Sequence, residues 1–250
     1  MNVPWKTAIV VGASSGMGAE VARLLAAGGC RVAIVARREA DLEALAEELN
    51  RGAAEPRALA YAGDVTEAGA VPPLFQQICR DLGGLDIIFY AAGVMPRIAP
   101  DEYDFARDRQ TIEVNVLGAI AWLNEAARRF AAARAGTIVG ISSVAGDRGR
   151  RGNPAYCTSK AALNTYLEAL RNRVGRFGVA VVTIKPGPVE TPMTQGMGKL
   201  PGMITVQAAG AAIISAAARR AHTAYVPGKW RLIMAIIRSI PSPIFKKLNI

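Results

Sequence analysis

Residues 6–18 read Lys6-Thr7-Ala8-Ile9-Val10-Val11-Gly12-Ala13-Ser14-Ser15-Gly16-Met17-Gly18. The first half is a β-branched apolar run ending in glycine, the pattern of a short strand buried on both faces. A helical pattern, AEVARLLAAGG, follows at once, and Gly28-Gly29 stops it. Strand, glycine turn and helix form the context in which a glycine motif gains chemical meaning. The spacing is G-x-x-x-G-x-G rather than G-x-G-x-x-G, but the physics is shared. Glycines permit a tight turn and close approach of a pyrophosphate, and the free amides of the helix N-terminus face the anion. Gly12, Ser14, Ser15, Gly16, Met17 and Gly18 are therefore candidate contacts for a dinucleotide.

Working outward, Arg31–Ala36 reads as a second strand, and its end should meet the adenosine ribose. An acid there would accept from a 2′-hydroxyl, whereas an arginine accommodates a 2′-phosphate. The chain has Arg37-Arg38 and no carboxylate before Glu39, with the Ser14 hydroxyl nearby in the glycine loop. NADP(H) is expected over NAD(H). An amphipathic helix over 39–51 leads to a strand at 57–61 and then Asp64-Val65. Asp64 could accept from an adenine amino group, cap the next helix, or do both.

The alternation continues: a helix over 67–82, a strand at 86–91, small residues at Ala91-Ala92-Gly93, and a helical region over about 102–134 that carries Asn115 in an apolar patch. A buried asparagine must find partners; linking two backbone segments and serving catalysis fit this one equally well. A strand at 137–142 delivers Ser143, and a helix opened by Gly152-Asn153-Pro154 carries Tyr156 and Lys160 to about 176. A strand at 179–185 ends in Pro186-Gly187-Pro188-Val189-Glu190-Thr191-Pro192. The loop from there to about 204 is glycine-rich and a candidate substrate lid. A helix at 206–220 and a strand at 223–226 complete seven strands. The expected fold is α/β: a single Rossmann-type doubly wound domain, its seven-stranded sheet mostly parallel with helices on both faces. Residues 1–227 form its dinucleotide-binding catalytic part, and residues 228–250 a basic amphipathic extension of the same domain.

Tyr156 and Lys160, at i and i+4, share a helix face. A phenol beside an ammonium is easier to deprotonate, which would bring a group of ordinary pKa about 10 towards working pH. Ser143 lies at a strand's C-terminal end, where open α/β sheets place their ligands.

Composition narrows the alternatives. With 51% hydrophobic and 20% charged residues over 250 positions, the chain is globular rather than disordered. No apolar run approaches the roughly 18 residues of a membrane span. The start, MNVPWKTAIVVG, lacks the pattern of a signal peptide. Cys30, Cys79 and Cys157 make no CxxC pair, and His222 is the only histidine, so no metal site is expected. These features suggest a cytoplasmic protein. The formal charge of +10 admits an anionic substrate, membrane surface or nucleic acid. No recognised module supports nucleic-acid binding.

Together, Gly12-x-x-x-Gly16-x-Gly18, Asp64, Ala91-Ala92-Gly93, Asn115, Ser143, Tyr156-x-x-x-Lys160 and Pro186-Gly187 make the chain resemble the short-chain dehydrogenase/reductase family over nearly its whole length. The departure is Tyr90-Ala91, where the family has N-N before A-G; this is expected to alter the nicotinamide-side packing slightly. The resemblance implies a catalytic set of Asn115, Ser143, Tyr156 and Lys160. Tyr156 would exchange a proton with the carbonyl oxygen and Ser143 would hold that oxygen. Lys160 would lower the tyrosine pKa and hold the nicotinamide ribose, and Asn115 would position a water. Cofactor contacts are further implied at Asp64, Val65, Ala92, Gly93, Pro186, Gly187, Val189 and Thr191. A homodimer or homotetramer is implied as well.

A narrower resemblance, to polyprenyl-phosphate-ribose 2-ketoreductases, lies in SSVAGDRGRRGNPAY, KPGPVETPMTQGM and the tail VPGKWRLIMAIIRSIPSPIFKKL. It implies a lipid-phosphate-linked keto-sugar. Arg148, Arg150 and Arg151, between Ser143 and Tyr156, are expected at the mouth of the site. In the tail, Trp230, Ile233, Met234 and Ile237 form an apolar helical stripe among Lys229, Arg231, Arg238, Lys246 and Lys247. Such a helix suits an anionic membrane surface, here the inner face, or else packing on a neighbouring subunit or closure of the substrate pocket. The leading expectation is an NADPH-dependent reductase of a hydrophobic or lipid-phosphate-linked ketone. The alternatives are a dehydrogenase of a soluble ketone or alcohol with a structural tail, and a non-catalytic nucleotide-sensing module.

Overall fold

The computed structural model describes residues 3–99, 101–198 and 200–248. Seven parallel strands form one sheet in the order β3-β2-β1-β4-β5-β6-β7. In chain order the strands are β1 (Thr7–Val11), β2 (Arg31–Ala36), β3 (Ala58–Ala62), β4 (Ile87–Tyr90), β5 (Thr137–Ile141), β6 (Ala180–Pro186) and β7 (Thr223–Val226). The order reverses direction between β1 and β4, which opens a crevice at the strands' C-terminal ends. The seven-stranded, doubly wound expectation holds, with every pairing parallel.

Central strands buried on both faces read as continuous apolar runs. Residues 7–11 and 137–141 are buried throughout, and two hydrophobic clusters lie on opposite faces of the sheet. One face is covered by α1 (Gly16–Ala27), α2 (Glu39–Asn50) and α7 (Val206–Ala218). The other is covered by α3 (Val71–Leu82), α5 (Gly118–Ala133) and α6 (Pro154–Val174).

Two segments depart from the expected plan. The long helical region starts at Phe105, as α4 (Phe105–Ile112), and is joined to α5 by one wide π-helical turn, Glu113–Leu117, centred on Asn115. Such turns recur at functional sites because they displace one backbone carbonyl from the regular ladder. Val114 O is accordingly taken by the Tyr90 phenol at 2.6 Å. Tyr90 is thus more than a packing change in the glycine-containing loop: it is fully buried and bolts β4 to the turn that carries Asn115.

The second departure is the tail. Its apolar stripe packs on the protein: Trp230 and Met234 are buried against Val144, flanked by Tyr225, Ile233 and Ile237. The helix is α8 (Trp230–Ser239), followed by the short α9 (Ser242–Phe245). Gly187 makes the contact possible, since a Cβ there would lie 2.0 Å from Trp230 Nε1. Among the described residues no helix is long and apolar enough to cross a membrane.

Candidate active site

The glycine loop is shaped by contacts that tolerate no side chain. A Cβ on Gly12 would sit 2.3 Å from Ala92 N, and one on Gly18 would sit 2.1 Å from Gly12 O. Gly12 and Gly16 also adopt positive φ, at 87° and 57°, conformations that L side chains rarely take. The result is a bare crevice lined by Gly12, Ser14, Ser15, Gly16, Met17, Gly18, Ala92, Gly93 and Thr191, at the N-terminus of α1. Arg37 and Arg38 line its outer end, and Val65 also faces it.

The two arginines are held differently. Arg38 donates to Ser14 Oγ at 2.9 Å and to Ser15 Oγ at 3.2 Å, and pairs with Asp41. Arg37 lies 3.6 Å from Asp64, whose other oxygen accepts from Thr66 N and Oγ1. Asp64 therefore closes a local turn onto Thr66 rather than capping a helix, since the next helical turn begins at Ala68 behind Glu67. The Asp64 carboxyl is held below the ordinary range because the Thr66 hydrogen bonds and the Arg37 charge outweigh its desolvation. These residues fit a dinucleotide: a glycine-rich cradle, free helix amides and two cations at the ribose end.

Beyond the crevice, β5 and α6 bring the chemical groups together. Ser143 follows β5 and caps a short 3-10 turn, its Oγ accepting from Ala145 N at 3.0 Å. Asn153 caps α6 by accepting from Tyr156 N, and its amide donates to Pro96 O, which ties the helix start to the loop after β4. Tyr156 lies near enough to Ser143 for the serine hydroxyl to pull its pKa down. Lys160, 4% exposed, donates to Ile141 O at 3.0 Å, and its Nζ is 5.7 Å from the centre of the Tyr156 ring. Asn115, fully buried, accepts from Val94 N and donates to Val94 O and Ser159 Oγ. Gly93 backs onto this group, since a Cβ there would be 3.3 Å from Asn115 Oδ1 and 3.5 Å from Lys160 Nζ.

The electrostatics differ from the expected lysine-activated phenol. Burial pushes the Tyr156 hydroxyl above its ordinary pKa; the Ser143 hydroxyl and the Arg150 charge pull against it without cancelling it. Lys160 Nζ stands 5.7 Å from the centre of the ring. Its own ammonium is drawn down to about 8 because burial disfavours the charge.

Residues 6–200 match the family model described as short chain dehydrogenase. The chain belongs to the short-chain dehydrogenase family. Membership makes it an oxidoreductase, an NAD(P)-dependent dehydrogenase or reductase. Among curated relatives, an uncharacterized oxidoreductase of Myxococcus xanthus is 37% identical over 77% of this chain and 76% of its own. A cis-4-hydroxycyclohexanecarboxylate dehydrogenase of Sinomonas cyclohexanicum is 32% identical over the same shares. A solved structure titled a short chain dehydrogenase/reductase family protein superimposes with a TM-score of 0.80 at 29% identity, covering 90% of this chain and 97% of that one.

Within this short-chain dehydrogenase, the remaining expected contacts fall on the segment after β6. Pro186 is buried, Gly187 lies under Trp230, and Val189 pairs with Ile204 in an isolated parallel bridge. That bridge closes the glycine-rich loop back onto its start, and Arg97 reaches across to Gln195 O. Thr191 forms a reciprocal cap with Thr194 and faces Gly16, where a Cβ would be 3.4 Å from its methyl. Tyr90 was the residue least visible in advance; its only signal was its place next to the Ala91-Ala92-Gly93 run.

Proposed function

We propose that the protein is an NADPH-preferring ketone reductase in which Tyr156 is the proton donor and Ser143 its partner on the substrate oxygen. The observation that carries this is the Ser143–Tyr156 pair, with the phenol raised above its ordinary pKa, on the helix whose Lys160 backs onto Gly93 of the nucleotide crevice. A phenol that holds its proton at neutral pH suits reduction, where the acid gives that proton to a developing alkoxide. When bound, a nicotinamide dinucleotide supplies the hydride. Ser143 Oγ steadies the carbonyl oxygen, and Tyr156 protonates it. Lys160, held on Ile141 O, keeps a positive charge near the Tyr156 ring, and Asn115 fixes the Val94 backbone that walls the site. Arg37 and Arg38 with Ser14 would receive a 2′-phosphate, the basis for NADPH over NADH.

The substrate class that fits is a hydrophobic ketone carrying an anionic group, with a lipid phosphate as one form of it. The Sinomonas relative is, by its name, a dehydrogenase of a secondary alcohol bearing a carboxylate. A screen of NADPH oxidation with lipid-phosphate keto-sugars, keto acids and neutral ketones of matched size tests the reading. Turnover of anionic ketones supports it, and absence of NADPH oxidation across the panel would overturn it.

A surface observation favours a membrane location for the reaction. With the apolar stripe of α8 packed inward, its outer face shows Leu232 and Ile236 at 69% and 60% exposure, and Ile244 and Leu248 lie exposed beyond it. From Thr191 to Ile250 there are eight Lys or Arg and no Asp or Glu. Exposed aliphatics within an all-basic segment suit an anionic lipid surface. A homodimer or homotetramer is the expected assembly.

A further inference from the structure

The loop between Ser143 and α6 carries three arginines, and the fold gives them unequal partners. Arg148 closes the end of α8: its Nη1 donates to Ile237 O at 2.5 Å, Ile240 O at 2.6 Å and Arg238 O at 3.2 Å. Its guanidinium also lies 3.8 Å from the centre of the Phe245 ring. Arg151 is exposed and reaches Lys246 O at 3.5 Å. Both serve to clamp the tail, which removes them from the mouth of the site.

Arg150 is different. Its Nη2 touches only the Met234 sulfur, at 3.6 Å, a weak acceptor, and its Nε is buried with no hydrogen-bond partner. No carboxylate pairs with it among the described residues. Asp147, three residues earlier, is the acid nearest in sequence. Its carboxylate is 3% exposed and already taken, by Lys185 Nζ at 2.6 Å and the Tyr225 hydroxyl at 2.7 Å. Met234 packs on Val144, the residue after Ser143, so the Arg150–Met234 contact adjoins the segment that carries Ser143. Its charge is felt at the Tyr156 phenol.

A half-buried guanidinium whose buried Nε makes no bond and which has no counter-ion is costly unless something completes it. A planar fork of donors is best completed by two oxygens of a carboxylate or phosphate. We propose that Arg150 is a specificity residue that binds an oxyanion on the substrate and holds it beside the Ser143–Tyr156 pair. This rests on the ketone-reductase reading of that pair and names the feature its substrate must carry.

The test uses the full-length protein with NADP+ added, and titrates cyclohexanecarboxylate, cyclohexyl phosphate and the neutral cyclohexanecarboxamide by calorimetry at fixed ionic strength. The expected result is at least tenfold tighter binding of one anion over the amide, and the stronger arm identifies carboxylate or phosphate. Arg150→Gln should abolish that preference, Arg150→Lys should keep part of it, and Arg148→Gln should keep all of it. Equal binding of anion and amide, no binding of any probe, or a preference that survives Arg150→Gln would overturn the proposal. Reduction of 4-oxocyclohexanecarboxylate is followed in parallel. An Arg150-dependent anion preference without turnover of any ketone keeps the anion site and removes the reductase reading. Turnover with no anion preference keeps the reductase and removes the role of Arg150.

Discussion

Asn115 holds both backbone groups of Val94: Oδ1 accepts from Val94 N at 2.8 Å, and Nδ2 donates to Val94 O at 3.0 Å. The second amide hydrogen goes to Ser159 Oγ at 3.0 Å, so both donors of this side chain are used within the protein. The wide turn at 113–117 is what aims the side chain at the loop after β4. Of the two roles open from sequence, linking two backbone segments has direct geometric support. Asn115→Ala should therefore lower stability by about 1–3 kcal/mol through orphaned buried groups. The loss should appear in thermal melts without cofactor, alongside reduced turnover. An unchanged melting temperature would contradict the linking role.

Ser143 lowers the Tyr156 pKa, and burial raises it. Alcohol oxidation needs the phenolate, so its kcat/KM should climb with pH towards an alkaline limb. Removing the serine hydroxyl in Ser143→Ala raises the phenol pKa further, which leaves less phenolate at any given pH below it. The limb should then move to higher pH, with a lower maximum. A limb that stays in place or moves down would show that Ser143 does not act on Tyr156.

Arg38 bridges the hydroxyls of Ser14 and Ser15 at the outer end of the crevice. Arg38→Ala should reduce kcat/KM for NADPH by tenfold or more and leave NADH nearly unchanged. Equal losses with both cofactors would assign Arg38 to loop structure rather than to a 2′-phosphate.

Because the inner face of α8 is part of the core, removing the tail would confuse folding with membrane binding. Leu232→Glu with Ile236→Glu alters only the outward face. Flotation with anionic liposomes should drop for this variant while its melting temperature and NADP+ binding stay near wild type. Equal flotation of the two proteins, or none by the wild type, would end the membrane reading.

The fold was legible because each buried strand is a short run of β-branched or apolar residues and several of the turns, Gly12 and Gly28-Gly29 among them, carry glycine. Gly12 and Gly18 could be placed from spacing alone, and the backbone contacts that forbid a Cβ there explain why. Tertiary partners were less legible. Arg148, Arg150 and Arg151 look alike in sequence, and only the folded tail distinguishes two clamps from one unpaired guanidinium. The stripe of Trp230 and Met234 could equally have faced lipid or protein; Gly187, with room for an indole, decides for protein. The balance of effects on Tyr156 depends on burial, which i, i+4 spacing with Lys160 does not report.

The central claim is that Tyr156 transfers the proton. Its most direct test is single-turnover reduction by Tyr156→Phe, with NADPH binding measured on the same preparation by fluorescence titration. The account predicts wild-type affinity for NADPH and a loss of at least a hundredfold in the rate of ketone reduction, in line with the roughly 10²–10⁴-fold contribution of general acid–base catalysis. Reduction by Tyr156→Phe at a rate near wild type would contradict it.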